Sequence, residues 1–193
     1  MEQKKVNTEA TSLEKKKKQL ILALVLGVLV LVGGIVGIIY SVYGGHGTPG
    51  GMLETFFETK YSENGKTFEN LCNCIAPELQ LTFDAEYSAS GTNYTQLTLW
   101  RNEAKDMVGE NVKVKVSVQR EEQGDSAMLS YVQKTCKKAE ELRGVVFHLT
   151  LTGDKGYVKL EGLAQCLRYG DDWYLFDEDI PLTIFEKNIK SEE

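Results

Sequence analysis

Charge is absent from one long stretch of this chain, because residues 19–53 contain no Asp, Glu, Lys or Arg. Within it, residues 20–40 form an apolar run of 21 residues, LILALVLGVLVLVGGIVGIIY. A helix rises about 1.5 Å per residue, so a run of this length spans a hydrocarbon core of about 30 Å. The missing polar stripe excludes a surface helix of a soluble domain. We therefore predict a transmembrane helix at residues 19–43.

Basic residues are also missing from the far side of this segment. No Lys or Arg lies between Tyr40 and Lys60, whereas residues 15–18 are four consecutive lysines. Lysine-rich flanks stay on the cytoplasmic side of a membrane. We expect a single-pass protein of the cell membrane, with a basic cytoplasmic tail at residues 1–18 and an extracellular carboxyl-terminal domain. A cleaved signal peptide is the alternative, but its apolar part is usually only about 7–15 residues long.

Cysteine and histidine are scarce, at four and two residues. Cys72, Cys74, Cys136 and Cys166 form no Cys-x-x-Cys pair, which argues against a zinc site, and the sequence predicts no metal, no cofactor and no catalytic motif. All four follow the membrane segment, on the side where disulfides persist, so we predict disulfide bonds. Three pairings remain open. We favour bonds from Cys72 and Cys74 to distant cysteines, because joining these two would strain the ring. Free buried thiols are the alternative.

Positive charge is in deficit beyond the membrane segment, where 16 basic residues face 25 acidic ones. A domain of this charge repels polyanions, which excludes nucleic acid as a partner. The lipid bilayer is the partner that the sequence defines best, since the lysines of residues 1–18 suit an anionic inner leaflet. Another membrane protein or a cell-wall component is a further partner that this location allows.

Small residues recur within the membrane segment, where Gly33, Gly37 and Ser41 share one helix face. This spacing lets a second helix approach closely and permits a homodimer or another membrane assembly. Glycine is also common in membrane helices that do not pair, and we favour that simpler interpretation.

A glycine-rich segment, GGHGTPGG at residues 44–51, follows the membrane helix. Its composition predicts a flexible linker without regular structure, in which His46 is a solvated residue. We place an extracytoplasmic domain at residues 52–186. The polar residues 187–193 are predicted to be a frayed tail.

Helical periodicity dominates the first part of this domain. Two short helices are predicted from apolar residues that recur on one face, and the turn at residues 62–65 separates them. Residues 78–88 fit a strand or a helix equally. Capping residues mark two further helices. One begins at Thr92 or Asn93 and ends at Gly109. The other begins at Asp125 or Ser126 and ends at Gly144.

A period of two residues marks the strands. The first contains alternating valines from Val112 to Val118, and three more are predicted at Val145–Thr152, Tyr157–Arg168 and Trp173–Asp177. The short turns between the last three require antiparallel pairing. The sequence therefore predicts an α+β domain, with three to four helices packed on a four-stranded antiparallel sheet.

The order of these elements resembles the nuclear-transport-factor-two-like, or cystatin-like cone, superfamily. Gly170, Trp173 and Tyr174 of the final Gly-Asp-Asp-Trp-Tyr-Leu-Phe-Asp segment carry this resemblance, together with GENVKV at residues 109–114. It covers about residues 52–180 and implies a cone-like domain, similar to small membrane-attached domains on the outside of Gram-positive bacteria. Many of those relatives have a lipid anchor, whereas this chain has a predicted helix in the same role. No motif transfers a catalytic role.

His148 is the one candidate for a pocket residue. It alternates with Phe147 and Leu149 on a predicted strand and would act as a general base if it entered the cone beside an acidic group. We expect a surface or hydrogen-bonded role instead. The first functional hypothesis is a membrane-tethered binding or interaction module. The alternatives are an enzyme that uses the cone as a pocket for a small hydrophobic substrate, and a structural partner in a membrane assembly.

Overall fold

A computed structural model describes residues 46–88 and 93–190 of the chain. The predicted cytoplasmic tail, the predicted transmembrane helix and its Gly33, Gly37 and Ser41 face lie outside these residues. Within the two described ranges, no helix has the length and apolar character needed to cross a membrane.

Five helices lie within the described ranges. They are α1 at Pro49–Tyr61, α2 at Phe68–Cys72, α3 at Gln80–Ser88, α4 at Asn93–Val108 and α5 at Ser126–Val132. The two short helices predicted at the start of the domain are confirmed as α1 and α2. The best-capped prediction, α4, is also confirmed: Gly109 follows it at a φ of 87°, and its N–H bonds the Lys105 carbonyl.

Five antiparallel strands form one sheet. They are β1 at Lys113–Gln123, β2 at Glu141–Gly153, β3 at Gly156–Tyr169, β4 at Asp172–Leu175 and β5 at Leu182–Ile189. The sheet order is β1-β2-β3, and both β4 and β5 pair with the far side of β3, at its two ends. The predicted α+β class and the antiparallel sheet are therefore confirmed, but the described ranges contain five strands instead of the predicted four, and five helices instead of three to four.

The main core lies between the helices and one face of the sheet, here called the inner face. Val145, Phe147, Leu149 and Leu151 of β2 are fully buried there. Phe57 of α1 packs on Phe147 with ring centroids 5.4 Å apart. Burial of one such side chain stabilises the fold by about 1.5–3 kcal/mol, so this layer holds α1 on the sheet.

A second, smaller cluster covers one end of the opposite, outer face. Leu142 of β2 and Leu167 of β3 point to that face and are buried together with Val132 of α5, Cys136 and Ala139. Helix α5 thus packs on the sheet from the side opposite to α1 and leaves the middle of the outer face uncovered.

The predicted helix from Asp125 to Gly144 is wrong in its length. Asp125 does cap α5, because its side chain accepts the N–H of Met128, but the helix ends at Val132. Gly144 lies in β2 and is paired with Gln165 of β3. Pairing with a distant strand replaces the local helical bonds in this region.

The predicted frayed tail is wrong for Lys187–Ile189, which belong to β5 and pair with Gly156–Val158 of β3. The consecutive polar residues Glu186, Lys187 and Asn188 interrupt the apolar alternation by which a strand is predicted from sequence. Residues 78–88, which fitted either structure, form α3 from Gln80 onward.

The predicted flexible linker is wrong from His46 onward. Helix α1 begins within it at Pro49, and the Thr48 side chain caps the helix by accepting the N–H of Gly51. Proline suits the first helical turn, where its missing N–H costs nothing. His46 and Cys74–Ala76 also form backbone hydrogen bonds with β4, along the edge of β4 that does not pair with β3. The His46 carbonyl accepts the N–H of Trp173 at 2.8 Å.

Candidate functional site

The four cysteines are free thiols, and no two of them lie at disulfide distance. The structure therefore does not form the predicted disulfides. Cys136 belongs to the small cluster under α5, whereas Cys72, Cys74 and Cys166 belong to the main core. Burial raises the pKa of the Cys72 thiol to about 11, and those of Cys74 and Cys166 to about 12. These side chains pack as small hydrophobic residues.

Cys74 lies beside His46, which was predicted to be solvated. The Cys74 Sγ is 3.7 Å from His46 Nε2 and also donates to the Asn70 carbonyl at 3.5 Å. Burial lowers the pKa of His46, and Asp172 partly offsets this change. A neutral imidazole and a neutral thiol are the forms favoured here. The pair lacks the thiolate that nucleophilic catalysis requires, and Cys74 is not exposed to solvent.

His148 lies on the outer face of the sheet, the surface position expected from the sequence, and does not enter the cone. Neighbouring side chains of a strand point to opposite faces, and Phe147 and Leu149 occupy the inner one. An acidic neighbour does exist, because the Glu161 Oε2 atom lies 3.4 Å from His148 Nε2. The ring of Phe185 lies 4.5 Å from the His148 ring, between centroids.

Apolar side chains accompany His148 on this outer face. Leu163 of β3 is 56% exposed and pairs with partly buried Val146 of β2. Phe185 of β5 is 48% exposed. We call Val146, His148, Leu163 and Phe185 the outer patch. Scattered apolar residues are normal on protein surfaces, but a patch of neighbours on a sheet face is typical of an interaction surface.

A charged cavity of about 420 Å³ lies at the amino-terminal end of α1. Its Arg143 guanidinium is 2.6 Å from both Glu121 and Glu141, and Arg168 is 2.9 Å from Glu141. Burial alone would raise the pKa of Glu141, but hydrogen bonds from Arg143 and Arg168 hold it below its usual value. Both arginines already have carboxylate partners, so this cavity does not present a free cation to an anionic ligand.

A second cavity, of about 560 Å³, lies beyond the carboxyl-terminal end of α1. Lys105 lines this cavity, and its Nζ atom forms ion pairs with Glu63 at 3.0 Å and with Glu110 at 2.9 Å. Within the described ranges, no group of three or more His, Cys, Asp or Glu side chains is arranged to hold a metal ion.

Lys60 is a functional candidate that the sequence analysis missed. It lies at the end of α1, and its Nζ atom is 4.5 Å from the centre of the Trp100 ring, 5.6 Å from Phe56 and 5.8 Å from Tyr61. Burial lowers the pKa of this amine, and Asp179, Glu103 and Glu178 partly offset the change. Its position four residues after Phe56, on an aromatic helix face, is the signal that could have found it.

Comparisons with known proteins give no match for this chain, whether with protein-family profiles, with curated proteins or with solved structures. The resemblance to the nuclear-transport-factor-two-like superfamily therefore stays a prediction.

Proposed function

We propose that this protein is a membrane-tethered interaction module, whose extracytoplasmic domain binds a partner protein through the outer patch. The observation that carries the proposal is the exposure of Leu163 and Phe185, at 56% and 48%, on a sheet face that α5 covers only at one end. Burial of such side chains against a partner stabilises a complex by removing apolar surface from water.

The exposed position of Leu163 and Phe185 on a sheet face favours a protein over a small molecule, because small ligands usually bind in concave pockets. The inner face supports the same choice. Phe56, Phe57 and Phe147 fill the space between α1 and the sheet and are at most 1% exposed. An enzyme of the cone-like type would need a substrate pocket there.

The membrane location in this proposal comes from the sequence. An uncharged run at residues 20–40 with four lysines before it supports one membrane crossing, with the amino terminus inside. Protease added to intact cells would then digest the domain and spare residues 1–18. A domain that survives until the cells are lysed would contradict this orientation.

Site-specific photo-crosslinking in intact membranes tests the interaction. A photoreactive phenylalanine analogue at position 163 of the full-length protein should give one discrete crosslinked product. The matched control is position 99 on α4, because Leu99 is exposed to a similar degree, 50%. Product mass distinguishes a second copy of this chain from a different membrane protein.

The interpretation depends on a further variant. Phe185→Asp should abolish the product formed from position 163, because it places a charge in the outer patch without touching the crosslinking residue. Equal products from positions 163 and 99, or a product insensitive to Phe185→Asp, would refute the outer patch as the binding surface.

The proposal also includes the superfamily resemblance and the pairing of membrane helices through Gly33, Gly37 and Ser41. The observed order of helices before an antiparallel sheet supports a cone-like domain. Gly33, Gly37 and Ser41 would let two membrane helices pair, and Gly37→Leu would then weaken a dimer detected by crosslinking.

A further inference from the structure

The ammonium group of Lys60 lies in an unusual setting for a lysine near the protein surface. Lysine usually extends its charged end into water or pairs it with a carboxylate. Lys60 instead is partly buried, and three aromatic rings lie within 6 Å of its Nζ atom. It forms no salt bridge with any residue in the described ranges, whereas Lys66, Lys105 and Lys159 each do.

The aromatic surroundings extend beyond the rings that face the amine. Tyr87 of α3 lies 5.9 Å from Trp100, between ring centroids, and also packs against Phe68 and Phe83. Tyr87 and Trp100 are only partly buried. The amine therefore lies next to a cluster of rings from α1, α2, α3 and α4. Tyr87 and Trp100 form its accessible part, which suits a flat, unsaturated molecule.

Acidic groups act on the amine from outside this cluster. Glu178 and Asp179 precede β5, and Glu103 lies on α4. Burial raises the pKa of the Glu178 carboxyl. A hydrogen bond from its own backbone partly offsets this rise. The opposite changes at Lys60 and Glu178 both favour neutral groups, which is common where an amine and an acid take part in chemistry.

We propose that Lys60 is a reactive amine that forms an imine with a small aromatic aldehyde or ketone. The nitrogen lone pair attacks the carbonyl carbon, and one N–H proton moves to the oxygen. The resulting hydroxyl then leaves with the second N–H proton as water, and a C=N double bond replaces the C=O bond. No oxidant or reductant is needed for this step. A desolvated lysine is the usual nucleophile for such condensations because its neutral form is the one that attacks.

Two local effects act on the protonation of Lys60 in opposite directions. Cation–π contacts with the three rings favour the protonated amine. Loss of hydration acts in the other direction and is the first cause of the lowered pKa of Lys60. The neutral amine is therefore more populated at Lys60 than at an ordinary lysine of the same chain.

Reductive labelling of the full-length protein in detergent micelles tests the proposal. Benzaldehyde is the probe, cyanoborohydride traps the imine as a stable secondary amine, and peptide mass spectrometry locates the label. At about pH 8 we expect Lys60 to be labelled at least about tenfold faster than Lys105, which is an internal control because hydrogen bonds from Glu110 and Glu63 raise its pKa. Equal rates at the two positions would overturn the proposal.

Two variants separate a reactive site from simple exposure. Lys60→Arg keeps the positive charge over the rings and should fold, yet it cannot form an imine, so the fast label should disappear. Asp179→Asn removes the largest electrostatic support of the protonated amine, and the pH midpoint of labelling at Lys60 should move downward. A midpoint that does not move, or rates that stay the same after unfolding in urea, would show that the folded surroundings do not activate this lysine.

Discussion

His46 and Tyr174 pack edge to face, with ring centroids 5.5 Å apart and ring planes at 82°. Of the described residues, His46 lies nearest in sequence to the predicted membrane segment, and this contact joins it to the edge strand β4. The same imidazole lies 3.7 Å from the Cys74 thiol. His46 therefore contacts both Tyr174 and Cys74 at the amino-terminal end of the domain.

Protonation of His46 should destabilise the domain. Burial lowers its folded-state pKa below the ordinary value of 6.5, so the unfolded chain binds the proton first as pH falls. The stability from this group is complete above about pH 6.5 and is lost below it. The midpoint of urea unfolding, followed by Trp fluorescence, should fall between about pH 7.5 and about pH 5.5.

The variant His46→Gln should reduce that fall, because glutamine does not titrate. His148→Gln is the matched control, since it makes the same substitution at the other histidine, on the outer face. An unchanged pH dependence in His46→Gln would assign the effect to other groups.

The four thiols should be unreactive in the native protein. Cys74, Cys136 and Cys166 are 0% exposed, and Cys72 is 8% exposed. A chromogenic disulfide reagent at about pH 8 should detect no rapid thiol before denaturation and four after it, because the neutral thiol is a poor nucleophile. Fewer than four after denaturation, without added reductant, would instead support the disulfides predicted from the sequence.

Truncation of Phe147 should weaken the core strongly. Its ring is fully buried and packs on Phe57, so Phe147→Ala removes apolar contacts and leaves a cavity. We expect a loss of about 3–5 kcal/mol in the free energy of unfolding. Leu81→Ala, at a residue 83% exposed, should change it by less than about 0.5 kcal/mol. Similar losses for both would contradict the assigned core.

A methyl group at Gly153 should disturb the end of β2. An added Cβ would lie 2.5 Å from the Val108 carbonyl oxygen and 2.8 Å from that of Glu110. These backbone atoms cannot rotate away, so Gly153→Ala should cost about 1–3 kcal/mol of unfolding free energy. Gly47→Ala is the control, because no atom of the residues that the structure describes lies within 4 Å of its added Cβ. An unchanged denaturation midpoint in Gly153→Ala would contradict this close approach.

Local signals were sufficient for several elements of the domain. The Gly109 end of α4, the Asp125 cap of α5 and the valine alternation of β1 each depend on neighbouring residues. Backbone bonds and side-chain alternation within a few residues decide such features, so the sequence predicts them directly.

Other elements depended on distant partners. β5 forms because β3 offers a strand edge to Leu182–Ile189, and residues 141–144, which the sequence assigned to a helix, instead pair with β3. Neither partner is visible from local composition. The same limit applied to the linker, where contacts of His46 with β4 fixed a glycine-rich segment that composition alone marks as flexible.

The sequence by itself determined the predicted membrane segment, its lysine flank and the α+β class, because these follow from hydrophobicity, charge and periodicity along the chain. Only the tertiary structure decided that the thiols stay separate and that Lys60 lies among aromatic rings. Each of these depends on residues far apart in sequence. Their packing sets the distance, hydration and protonation on which any chemistry of this domain depends.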